Sequence, residues 1–236
     1  MSSAQKPTAR AHDVQFRSGP AMLHGELLVP TSAEGVVLFA HGSGSSRYSP
    51  RNQFVARRIR EEGVGTLLFD LLTKEEEAID NQTRHLRFDI GLLAERLVDA
   101  AYWLKGNFSD LSIGFFGAST GAGAALVAAA ELRDAVGAVV SRGGRPDLAG
   151  DYLPQVECPT LLIVGGLDYP VIEINQKALA RLHCEKELKI VTGATHLFEE
   201  PGTLEEVARF AAEWFQIHLH AGNESVIPVV PTNVLI

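Results

Sequence analysis

Six short, continuous apolar runs set the possible folds of this chain: Val36 to Ala40, Thr66 to Phe69, Ile113 to Phe116, Val136 to Val140, Thr160 to Val164 and Leu188 to Val191. A strand that is apolar on both faces needs helices covering both sides of its sheet, so these runs predict a mostly parallel, doubly wound α/β sheet. Helical patterns fall between them. Ser49-Pro50 reads as an N-cap followed by proline at the first helical position, opening a helix that ends near Gly63. Further helices are predicted over Phe88 to Leu104, Thr120 to Leu132 and Val171 to Leu182, with Thr203-Leu204-Glu205-Glu206 as a capping box opening a last one through Phe215. Asp13 to Phe16 and Met22 to Val29 alternate instead, around the turn signal Ser18-Gly19-Pro20, which predicts an N-terminal antiparallel hairpin at one sheet edge.

The segment Leu71 to Leu86, with Lys74-Glu75-Glu76-Glu77, reads as a solvated irregular loop. The connection between Val140 and Thr160 is too short for a separate lid domain. One domain over residues 1–220 is therefore expected, followed by an apolar, proline-containing tail over 221–236 that packs along the domain or bridges a dimer. A net charge of −8 with scattered acidic residues argues against nucleic acid or an anionic membrane as partner. Met1 to Arg17 is polar, with no apolar stretch of signal-peptide length, so a cytoplasmic monomer or homodimer acting on a small molecule is the expectation. Cys158 and Cys184 lack metal-ligand spacing and read as free thiols; no cofactor and no metal is implied.

In a doubly wound sheet, ligands bind where the strands end, so chemistry is sought in the loops there. Gly117-Ala118-Ser119-Thr120-Gly121 follows a buried strand and precedes an alanine-rich helix, the context of a nucleophile elbow. The turn strains the serine backbone, and the residues two away on either side must be small for strand and helix to approach. Gly165-Gly166-Leu167-Asp168 and Thr192-Gly193-Ala194-Thr195-His196 each follow a later strand. The order Ser119, Asp168, His196 then supplies a nucleophile, an acid and a base: the imidazole accepts the serine proton and the carboxylate fixes its tautomer. The loop His41-Gly42-Ser43-Gly44-Ser45-Ser46 is small enough to turn backbone N–H groups inward. Ser43, with Gly44 as an alternative, is expected to face the Thr120 N–H across an oxyanion hole. Asp70 precedes the serine and breaks the order, Glu199 and Glu200 follow His196 too closely to brace its ring, and His41 is expected to hold its loop by hydrogen bonds.

Together, His41-Gly42-Ser43-Gly44, the elbow, Gly166-Leu167-Asp168 and Gly193-Ala194-Thr195-His196 resemble the α/β-hydrolases, and within them the dienelactone hydrolase-like group, over roughly Asp13 to His218. The resemblance implies a cofactor-free hydrolase of esters or lactones. Dienelactone hydrolases proper carry a cysteine at the elbow, so Ser119 implies a serine esterase. Substrate contacts are sought at Arg47 and Tyr48 after the oxyanion loop, at Arg142 after its strand and at Tyr169 beside the acid, since a guanidinium can grip a carboxylate bidentately. An acyltransferase or perhydrolase with the same three residues, and a non-catalytic binding module, are the competing readings.

Overall fold

The computed structural model describes residues 10–219. The predicted tail over 221–236 lies outside the described residues. The chain forms β1 (Arg10–Ser18), β2 (Ala21–Val29), β3 (Gly35–Ala40), α1 (Pro50–Glu61), β4 (Gly65–Phe69), α2 (Lys74–Thr83), α3 (Ile90–Asn107), β5 (Ser112–Ala118) and α4 (Thr120–Leu132). It continues through β6 (Val136–Arg142), β7 (Thr160–Gly165), α5 (Tyr169–Arg181), β8 (Lys186–Val191) and α6 (Thr203–His218). One eight-stranded sheet has the order β1-β2-β4-β3-β5-β6-β7-β8. The β1–β2 hairpin and its join to β4 are antiparallel, and every other pairing is parallel.

The apolar runs are buried because each face is covered. Alternate residues of β3, Val36 and Leu38 against Val37 and Phe39, enter two separate cores. One core packs α3 and α4 over the sheet; the other packs α1 and α6. The outermost strand β8 departs from its expected doubly buried character. Lys186 and Ile190 are exposed there, as befits an edge that must not recruit another strand.

Two local expectations are corrected. Residues 71–86 are not an irregular loop: α2 occupies Lys74–Thr83, opened by a capping box in which the Thr73 hydroxyl accepts from the Glu76 N–H and the Glu76 carboxylate accepts from the Thr73 N–H. The helix has no apolar stripe, and its one buried residue, Asp80, is polar, so hydrophobic periodicity could not reveal it. Conversely, Thr203 does not cap α6. Gly202, in the left-handed region at φ 84°, stands at that position, and the Thr203 hydroxyl donates to the Glu200 carbonyl at 2.7 Å.

Candidate active site

Ser119 sits between β5 and α4 at φ 51° and ψ −120°, a conformation that costs a non-glycine residue of the order of 1–3 kcal/mol. Its neighbours explain how the turn is tolerated. A Cβ on Gly121 would be driven into the Ala40 and His41 carbonyls, and one on Gly117 into the Ala122 backbone. The serine backbone is tied across to the next strand end: its N–H donates to the Arg142 carbonyl at 3.2 Å, and its own carbonyl accepts from the Arg145 N–H at 3.0 Å. The hydroxyl is not spent on capping α4.

The loops after β7 and β8 are sewn together. The Gly166 N–H donates to the Val191 carbonyl at 2.8 Å and the Leu167 N–H to the Ala194 carbonyl at 2.9 Å. Gly165 is needed there, because a Cβ would fall 2.5 Å from the Ala194 oxygen. This stitching brings Asp168 and His196 together. Asp168 Oδ2 lies 2.6 Å from His196 Nδ1, with the carboxylate mostly buried and the imidazole two-fifths exposed. The ring also lies near Gly143, where a Cβ would stand 3.6 Å from Cε1. Gly143 adjoins Arg142, the backbone anchor of Ser119, so the paired acid and imidazole lie beside the strand end that holds the serine. No hydrogen bond joins the serine hydroxyl to the imidazole among the described residues; such bonds often tighten only when substrate is present.

One contributor escaped the sequence. Glu200 accepts from the Thr195 hydroxyl at 2.6 Å and from the Thr195 N–H at 3.1 Å, bonds that hold its carboxyl below the usual range. It braces the backbone that carries His196 rather than the ring itself. Proximity in the chain was the available signal, and it pointed to the loop, not to the imidazole.

On the other side of the serine, His41 is buried and holds its loop as expected. The Leu71 N–H donates to Nε2 at 3.1 Å, which leaves the ring proton on Nδ1, facing the Gly42 carbonyl at 3.1 Å. Burial pushes this imidazole below its ordinary pKa. The structure brings Ser43 to Thr120, but through a side chain: the Ser43 N–H donates to the Thr120 hydroxyl at 2.9 Å. Gly44 adopts φ 69°, which its lack of a Cβ permits.

The four candidate substrate residues are not gathered at one point. Arg47 is bound into its own loop, paired with Asp70, donating to the His24 carbonyl at 3.2 Å and to the Tyr48 hydroxyl at 2.6 Å. Tyr48 and Tyr169 are exposed, and Arg142 is buried against α1. A cavity of about 780 Å³ lies between the loop after β3 and α2, lined among others by Ser43, Gly44, Arg47, Tyr48 and Arg87. Ser119, Asp168 and His196 are not part of its wall, whereas Gly42, Ser43 and Gly44 are.

An open, mostly parallel sheet carrying a strained serine between strand and helix, with a paired acid and imidazole at the same rim, is that of an α/β-hydrolase. The chain belongs to the dienelactone hydrolase family, whose family model matches residues 23–219. A crystal structure of a dienelactone hydrolase from Anabaena variabilis is 58% identical, with a TM-score of 0.88, covering 90% of this chain and 99% of that one. A Pyrococcus furiosus esterase shares the fold at a TM-score of 0.74 and 20% identity, over 89% of this chain and 94% of its own. Two curated relatives from Mycobacterium tuberculosis strains, each named "Putative phosphoribosyl transferase", are 56% identical over 219 residues. That match takes in 92% of this chain but 48% of theirs, so the chain spans about half the length of those relatives.

Among the described residues no helix is long and apolar enough to cross a membrane.

Proposed function

We propose that this hydrolase cleaves small carboxylic esters or lactones through a Ser119, His196, Asp168 triad and an acyl-enzyme. The observation that carries the reading is the 2.6 Å Asp168–His196 bond at the same strand-end rim as the strained, uncapping Ser119. His196 Nε2 takes the serine proton as Oγ attacks the ester carbonyl, and Asp168 holds Nδ1–H and stabilises the imidazolium. The new oxyanion is received by the Thr120 N–H and by the Ser43 N–H. For the latter to donate, the Thr120 hydroxyl turns aside, so a bond within the resting site is exchanged for one to the intermediate. The imidazolium then protonates the leaving alcohol, and water, deprotonated by the same imidazole, releases the acid. Arg47, Tyr48, Arg142 and Tyr169 stay as candidates for holding the rest of the substrate. No cofactor enters these steps.

Phosphoribosyl transfer, the activity in the names of the mycobacterial relatives, is not carried over to this chain, which matches only 48% of those proteins. A fluorophosphonate should label Ser119, and p-nitrophenyl acetate should give a burst of nitrophenol. Ser119→Ala should abolish both, lowering kcat at least about 10³-fold. Labelling elsewhere, or undiminished turnover by the variant, defeats the proposal.

A further inference from the structure

Two arginines come together beneath the histidine loop, and among the described residues no buried carboxylate pairs with either. Arg142 ends β6 at 8% exposure, and its Nη2 reaches only the neutral Asn52 Oδ1, at 3.4 Å. Its Nε is shielded from solvent and has no hydrogen-bond partner among the described residues, which also supply no ion pair to this guanidinium. Arg51, in the first turn of α1, turns a second shielded Nε without a partner toward the interior. Burial, and then the charge of Arg51, push Arg142 down to about 10. Glu199 pairs with Arg51 Nη1 at 3.2 Å, with the Glu199 side chain 65% and the Arg51 side chain 36% exposed.

A guanidinium stays charged under ordinary conditions, and a buried charge without a counterion is among the costliest arrangements in a folded chain. Arg51, partly exposed and paired with Glu199, adds a second positive charge beside Arg142. The first turn of α1 adds the positive end of a helix to the same place. Arginine donors set in a plane are suited to an anion with two oxygens.

We propose that Arg142, Arg51 and Asn52 form a binding site for a small carboxylate. Arg142 connects it to the reactive rim twice. Its carbonyl receives the Ser119 N–H, and its guanidinium lies 5.9 Å from the ring of Phe198, two residues past His196. An anion that fixes this guanidinium therefore also supports the loop carrying the imidazole. The site goes beyond the esterase reading and does not depend on Ser119 being a nucleophile.

Thermal melting of the full chain with formate, titrated at constant ionic strength, tests the site directly. The expected result is a saturable rise of about 5 °C at a hundredfold excess over Kd. Ser119→Ala should keep the rise, Arg142→Met should lose it, and Arg51→Gln, which leaves the core untouched, should weaken it at least about tenfold. No rise, or one unchanged in both arginine variants, overturns the site. Crystals soaked in bromide should show an anomalous peak beside Arg142 Nε, and ordered water alone there would count against it. Hydrolysis of p-nitrophenyl acetate and of mono-p-nitrophenyl succinate identifies the source of the carboxylate. If it belongs to substrate, only the succinate monoester loses kcat/KM in Arg51→Gln and is competed by formate. If it is a free ion, formate alters both esters alike.

Discussion

Arg96 and Arg142 are both buried, and the molecule treats them in opposite ways. Arg96, on α3, donates from Nη2 to Glu76 at 2.8 Å and from Nη1 to the Ser18 carbonyl at 2.8 Å, joining α2 and the N-terminal hairpin. Like Arg142, it leaves Nε unbonded, so an orphan nitrogen does not separate them. The counterion does. On the hairpin side the buried charges are answered by counterions: Asp80 by Arg87 and Arg96 by Glu76. At the strand-end rim, Ser119 is strained and Arg142 faces a neutral amide. Local conflict of this kind collects where a protein does its work, and the satisfied side of the fold supports it.

The sharpest way to break this contrast is one substitution applied to both arginines. Arg96→Met should cost about 3 kcal/mol, because it orphans a mostly buried carboxylate and a buried carbonyl together. In buffer without small carboxylates, Arg142→Met should cost nothing or stabilise, since it removes an unpaired charge and leaves volume in place. Urea midpoints at pH 7 decide it, and equal losses for the two variants would erase the distinction.

His41 offers a third answer to burial, and a smaller effect. Unlike arginine, it can give up its charge. Burial disfavours the charged ring, and protonating Nε2 would also turn an acceptor into a donor against the Leu71 N–H, so the folded state binds this proton less readily than the unfolded state. With the folded pKa held below 6.5, the stabilisation is complete above pH 6.5 and is lost as pH falls below it, by up to about 1.4 kcal/mol per pH unit. His41→Gln keeps an acceptor and cannot titrate. Its urea midpoint between pH 5 and 7 should therefore fall less steeply than the wild-type midpoint, and parallel curves would assign the acid sensitivity to another group.

How much of this was legible in the sequence follows from which interactions are local. The elbow spells out its own constraint: Gly117 and Gly121 are there because backbone stands where their Cβ atoms would go. Ser49-Pro50 likewise declares the start of α1, and Asn52 N–H does bond to the Ser49 hydroxyl at 3.4 Å. The order of serine, acid and imidazole could be read because each follows a strand. Nothing local could announce that Arg142 meets Arg51 or that Arg96 meets Glu76, because each pair joins two separate elements: β6 with α1, and α3 with α2. The same limit explains the misplaced capping box. Thr73 and Thr203 both precede a glutamate by three residues, and only the first is used, because Gly202 already terminates the preceding turn and the Glu200 carbonyl takes the Thr203 hydroxyl.

The smallest effect tests whether α2 belongs to the satisfied side. Glu76 serves two partners at once: one oxygen accepts from the Thr73 N–H at 2.8 Å and the other from Arg96 at 2.8 Å. Thr73→Ala removes only the hydroxyl that receives the Glu76 N–H, at a cost of about 1 kcal/mol. If the helix start and the ion pair form one unit, the double variant Thr73→Ala with Arg96→Met should lose less than the sum of the two, because the Glu76 carboxylate is already released when its guanidinium is gone. Strict additivity would mean that the cap and the pair act separately, and that α2 is held by its sequence rather than by the buried arginine behind it.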